Sequence, residues 1–111
     1  MSVARSRRTK RVVVQVEVPP TEKATFLSGL VRDAVRREKR LLALAITRTR
    51  QRLGDFEQRY GMTTNVFHAK YEAGDDLEDT ADFTEWAGEY DILQVLLDKQ
   101  QVLNEVRVHA P

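Results

Sequence analysis

The residues best suited to chemistry are the acidic run Asp75, Asp76, Glu78, Asp79, Asp82 and Glu85, the two histidines, and a large set of arginines. Carboxylates this dense suggest a calcium loop. The EF-hand form of that loop needs oxygen ligands at positions 1, 3 and 5, Gly at 6 and Glu at 12. Counted from Asp75, position 3 is Leu77, position 6 is Thr80 and position 12 is Trp86, so the pattern fails. The simpler reading is a solvated acidic link that caps a following helix, because carboxylates are favoured at helix N-termini. His68 and His109 are far apart in sequence and lack ligand-type neighbours, which argues against zinc.

Nucleophilic chemistry has little to work with. There is no Cys, and the only serines are Ser2, Ser6 and Ser28. The five glycines are scattered and form no phosphate-binding loop. Arg59 with His68 is the nearest approach to an RNase-like pair, but a lone His on an amphipathic helix is ordinarily a surface or packing residue. The eleven acids after residue 60 read as a solvated face rather than a glycosidase pair. The expectation is a non-enzymatic protein with no metal and no cofactor.

The cations are more informative. Residues 1–60 hold fifteen Lys/Arg against six Asp/Glu, whereas residues 61–111 hold three against eleven. The chain is nearly neutral as a whole but can present a positive and a negative surface at once, a layout that steers association and says little about fold. Arg5, Arg7, Arg8, Arg36, Arg37, Lys39 and Arg40 make a plausible phosphate footprint, which needs only cationic side chains. The alternative is a solvated face or a seat for the protein's own acidic half.

These residues must be positioned by a small number of elements. A chain of 111 residues is one small domain with a marginal core. Residues 1–11 are basic, aperiodic and expected to form a disordered arm. Val12, Val14, Val16 and Val18 alternate with Val13, Gln15 and Glu17, which predicts a strand ended by Pro19-Pro20. From Thr21 the apolar residues Phe26, Leu27, Leu30, Val31, Leu41, Leu42, Leu53, Phe56 and Tyr60 recur at helical spacing. Such a helix is too long for a small domain to cover, so it must kink (Gly54-Asp55 is the candidate place), pair with a copy, or lie along a partner. Gly61 closes it as a C′ glycine. A short helix capped by Thr63 or Thr64 carries Phe67 and Tyr71, and a third, capped by Asp79 or Thr80, carries Phe83, Trp86, Tyr90, Leu93 and Leu97. The tail Glu105–His109 alternates and could form a short strand. A strand followed by a helix also suggests a ribbon–helix–helix dimer, but no turn divides this long helix as that motif requires. The longest apolar run, Leu41–Ile46, is far below a membrane span, and the absence of Cys fits a cytoplasmic protein.

The segment Phe56-Glu57-Gln58-Arg59-Tyr60-Gly61-Met62-Thr63-Thr64, continued by Phe67, Tyr71 and Asp82-Phe83-Thr84-Glu85-Trp86-Ala87-Gly88-Glu89-Tyr90, resembles small prokaryotic antitoxin-like proteins encoded beside a toxin candidate. Those read F-E-x-x-Y-G-M, two Ser/Thr, a short helix with Phe, an acidic link, then D-F-x-E-W-x-x-x-Y. The resemblance spans residues 53–97, under half of the chain. One departure is Asn65-Val66, where an acidic pair would complete a capping box. The resemblance implies an antitoxin that wraps a small cognate toxin protein. Read as residues alone, the same aromatics predict a three-helix core.

The expected protein is therefore mainly α within an α+β class: an arm over 1–11, a strand and long helix over 12–54 that bind a partner, and a compact helical head over 55–111. Its expected partner contacts are Val12, Val14, Val16, Val18, Phe26, Leu27, Leu30, Val31, Leu41 and Leu42. The acids near Asp75–Glu85 could mask a basic active site on an RNA-cleaving toxin. The alternative is a dimeric nucleic-acid-binding regulator using the arm and the long helix. Either could act as a homodimer or a hetero-oligomer; a dimer built only from the long helix is disfavoured, since Arg37, Glu38 and Arg48 interrupt its stripe.

Overall fold

A long helix is the element the rest is assembled on. The structure, a computed structural model, describes residues 22–74 and 81–108. Helix α1 spans Glu22–Tyr60, α2 spans Thr64–Glu72 and α3 spans Ala81–Asn104. Among the described residues the regular structure is all helical. The α+β expectation is corrected accordingly to all-α. The segment Val12–Val18, on which the expected strand rested, and the arm 1–11 lie outside the described residues, as do the candidate caps Asp79 and Thr80.

The tail shows one reason for the correction. The amides of Glu105 and Val106 donate to the carbonyls of Val102 and Leu103 at 3.1 and 3.2 Å. They finish the last turn of α3, and Val106–Val108 make no strand ladder. The expected kink is also absent as a break: α1 runs unbroken through Gly54, which sits between the buried Leu53 and Phe56. Packing on both sides of this glycine offsets the helix propensity it lacks. The division at residue 54 therefore falls within one continuous helix.

The α1 stripe Leu42, Ile46, Thr49, Leu53 and Phe56 is buried at i, i+4, i+7, i+11 and i+14. It packs against α3, which runs back antiparallel from the head, so that Val102 and Leu103 reach the level of Leu42. At 1.5 Å per residue, α1 is about 58 Å long and α3 about 36 Å, so roughly the first third of α1 extends past the end of α3.

The head is an aromatic cluster. Trp86 and Phe67 are fully buried, with ring centroids 3.9 Å apart and planes within 1° of parallel. Phe56 stacks on Trp86 at 5.6 Å, Tyr60 at 5.9 Å, and Phe83 meets Tyr60 edge-on at 5.0 Å. One indole thus touches rings from α1 and α2 and anchors α3 to both. Its Nε1–H donates to Thr64 Oγ1 at 3.0 Å, which satisfies the only polar atom the ring would otherwise bury. Gly61, at φ +64°, makes the turn into α2, a backbone region that a Cβ disfavours.

Replacing Trp86 with Ala should lower unfolding free energy by about 3–5 kcal/mol, and Thr64→Val, which orphans the indole N–H, by about 1–3 kcal/mol. Chemical denaturation followed by far-ultraviolet circular dichroism checks both; losses under 1 kcal/mol for Trp86→Ala would contradict this packing.

Candidate partner-binding surface

Two groups of residues compete for the role of functional site: the polar residues around the head, and the exposed apolar residues of α1.

The polar residues of the head have structural partners. Arg59 Nη1 donates to Asp82 Oδ2 at 2.8 Å, and Tyr60 Oη donates to the same oxygen. The bonds from Tyr60 and Arg59 hold the Asp82 carboxyl below its usual range, and Asp82 in turn raises the pKa of both Arg59 and Tyr60. Arg59 also lies over the Phe56 ring at 5.3 Å. This network ties the end of α1 to the start of α3, so Asp82 joins the two helices and is not simply part of a loose acidic surface. The N-terminus of α2 has two donors satisfied by α1 and the turn: Glu57 Oε2 accepts from the Thr64 amide at 2.7 Å, and Thr63 Oγ1 accepts from the Val66 amide at 3.2 Å. The carboxylate missing from Asn65-Val66 is thus supplied by Glu57.

The motif that begins at Phe56 therefore has a structural job at nearly every position. Phe56 and Trp86 stack, Glu57 caps, Tyr60 binds Asp82, Gly61 turns, Thr63 caps and Thr64 accepts a hydrogen bond from the indole N–H. The Arg59 and His68 pair is likewise accounted for: Arg59 pairs with Asp82, while His68 stacks on Tyr90 at 4.0 Å and lies 3.8 Å from Glu72. Among the described residues no group of three His, Cys, Asp or Glu could hold a metal ion. No described helix is long and apolar enough to cross a membrane.

The apolar residues of α1 separate into two sets. Phe26 is 69% exposed, Leu27 41%, Leu30 49% and Leu41 51%. Val31 is half-buried. Leu42 is turned toward α3 and buried, so it belongs to the fold and not to a free surface. Leu42, eleven residues before Leu53, is in phase with the buried stripe, whereas Leu41 lies about 100° away from it. On another face of the same N-terminal turns, Ala24 and Ser28 are buried, and Ser28 Oγ has no hydrogen-bond partner. The remaining expected contacts, Val12, Val14, Val16 and Val18, lie outside the described residues.

Of the candidate phosphate-binding cations, Arg36, Arg37 and Arg40 are exposed and Lys39 is half-exposed; Arg36 pairs with Asp33 at 3.3 Å. Arg5, Arg7 and Arg8 lie outside the described residues. Sequence reasoning did not single out α3, where Ile92, Val95 and Val102 are 47%, 52% and 45% exposed. Their spacing at i, i+3 and i+10 was the available signal.

Comparison with known protein families, with curated proteins and with solved structures finds no match to this chain.

The sign of the Asp82 effect fixes a pH dependence. Its carboxyl pKa is lowered in the folded state, so this stabilisation is complete above the unfolded value of about 3.9 and is lost as pH falls through the folded value. Tyr60 is raised, so its share persists below about pH 10 and is lost as pH rises through its folded value. Melting temperature should drop on acidification below about pH 4, and Asp82→Asn should lower it at neutral pH while flattening that acid limb. An unchanged acid limb in Asp82→Asn would contradict the network.

Proposed function

We propose that this chain is a non-enzymatic, antitoxin-like binding protein that holds a small cognate toxin protein along the N-terminal part of α1. The observation carrying this reading is the exposed cluster Phe26, Leu27 and Leu30 on turns of α1 that extend past α3. Large apolar side chains grouped in this way, on a helix without a described neighbour on that side, suit burial by a partner groove. Leu41 continues the contact, and Val31 borders it. Leu42 does not take part. The antitoxin assignment is supported by the motif over residues 53–97, and the assignment of the polar head residues to structural contacts favours a binding role over catalysis.

A second reading, a regulator that binds DNA or RNA, is favoured by one observation: Arg36, Arg37, Lys39 and Arg40 place cations around one stretch of α1, and three of the four are exposed. It predicts a strongly salt-dependent gel shift that weakens on reversing Arg37, Lys39 and Arg40, because each phosphate contact contributes to the salt slope.

The partner reading is tested by co-expression with the product of the neighbouring gene and size-exclusion chromatography. The expected result is a stable complex that is lost in the Phe26→Glu, Leu30→Glu variant, whose own stability stays within about 0.5 kcal/mol of the parent because both positions are exposed. Absence of a complex with the unmodified chain, or a complex indifferent to those two substitutions, would overturn it.

A further inference from the structure

We propose that residues Val12–Val18 of this chain lie back along the first turns of α1 and cover Ala24 and Ser28, leaving Phe26 and Leu30 as the open side. This goes beyond the toxin-binding reading and does not rest on it.

At 100° per residue, Ala24, Ser28, Val31 and Val35 stand in line with the buried stripe Leu42, Ile46, Thr49, Leu53 and Phe56. The stripe that packs on α3 therefore continues to the start of α1, but α3 does not follow it. Arg52 pairs with Glu89, and Glu38 and Leu42 share a groove with Lys99 and Leu103, so Asn104 is level with roughly residue 37. Glu105 and Val106 finish the last turn of α3. The two described residues beyond them span at most about 7 Å, which brings Val108 level with roughly Val31. Val31 and Val35 are accordingly half-buried.

Ala24 and Ser28 lie further on, yet they are buried more deeply, at 5% and 1% exposure within a single chain. The side chains beside Ser28 on this stripe, Ala24 and Val31, are too short to enclose it. Ser28 Oγ also has no hydrogen-bond partner among the described residues. A buried hydroxyl ordinarily has a partner, so this one points to a backbone group of whatever lies over it.

Composition and connectivity identify the cover. Residues 75–80 join α2 to α3 at the opposite end of α1. His109, Ala110 and Pro111 bring no large aliphatic side chain, and residues 1–11 are basic. Residues 12–18 bring five valines and are joined to α1 through Pro19-Pro20-Thr21. Seven residues reach at most about 25 Å, which matches the length of α1, about 22 Å, between Glu22 and the level of Asn104. Phe26 and Leu30, two residues to either side of Ser28, each point about 160° away from it and so stay exposed beside a covered face.

Thiol labelling of the full chain tests this, because the chain has no cysteine of its own. Ser28→Cys is close to isosteric and gives up no observed hydrogen bond. It should react at least about tenfold more slowly than Ala34→Cys, which lies on an exposed position of the same helix. Adding Val14→Asp and Val16→Asp should abolish that difference, since an unpaired charge is not tolerated under the cover. Helical circular dichroism and Trp86 fluorescence should stay unchanged, because the head lies at the other end of α1. Adding Ala110→Asp should leave the protection intact. Equal labelling of Ser28→Cys and Ala34→Cys, protection that survives the valine substitutions, protection lost in Ala110→Asp, or protection that appears only as protein concentration rises would overturn the proposal.

Discussion

The fold depends on one buried indole. Trp86 stacks with Phe67 from α2 and with Phe56 and Tyr60 from α1, and its only polar atom donates to Thr64. Each described helix contributes to this cluster, and α2, at nine residues, has little else to hold it. A helix that short is unstable in isolation, so its existence follows from the Phe67–Trp86 stack and from the two caps supplied by Glu57 and Thr63. The Asp82 bonds to Arg59 and Tyr60 then fix where α3 starts relative to where α1 ends.

This arrangement changes what the recurring residues signify. A motif of aromatic, acidic and glycine residues invites a search for a site. Here its members pack, cap and turn. The motif lies in the part of the chain that folds the head, and the proposed partner contact lies on α1 beyond the head, where the motif does not extend. The proposed partner contact therefore rests on the exposed residues Phe26, Leu27 and Leu30.

Much of the architecture was legible from local pattern. Helical spacing gave α1 almost to its ends, Gly61 marked its C-terminus, and the aromatics from Phe56 to Tyr90 marked the core. What was not legible depends on distance in sequence. Glu57 caps a helix seven residues on, and Asp82 bonds to Arg59 and Tyr60 across more than twenty residues. The alternation at Val106–Val108 suggested a strand, but the closing turn of α3 takes the amides of Glu105 and Val106. Ile92 and Val95 neighbour the stripe Phe83, Trp86, Tyr90 and Leu93, and the side from which α1 packs leaves them exposed.

The central claim is that stability is concentrated in the Trp86 cluster and falls along α1 away from it. Native-state amide hydrogen exchange of the isolated chain, resolved by residue, tests this most directly. The account predicts the slowest exchange over residues 53–60, 67–72 and 83–93, opening together as one unit, with protection declining along α1 toward Glu22. Uniform protection along the whole of α1, or an α1 N-terminus more protected than the residues around Trp86, would contradict it.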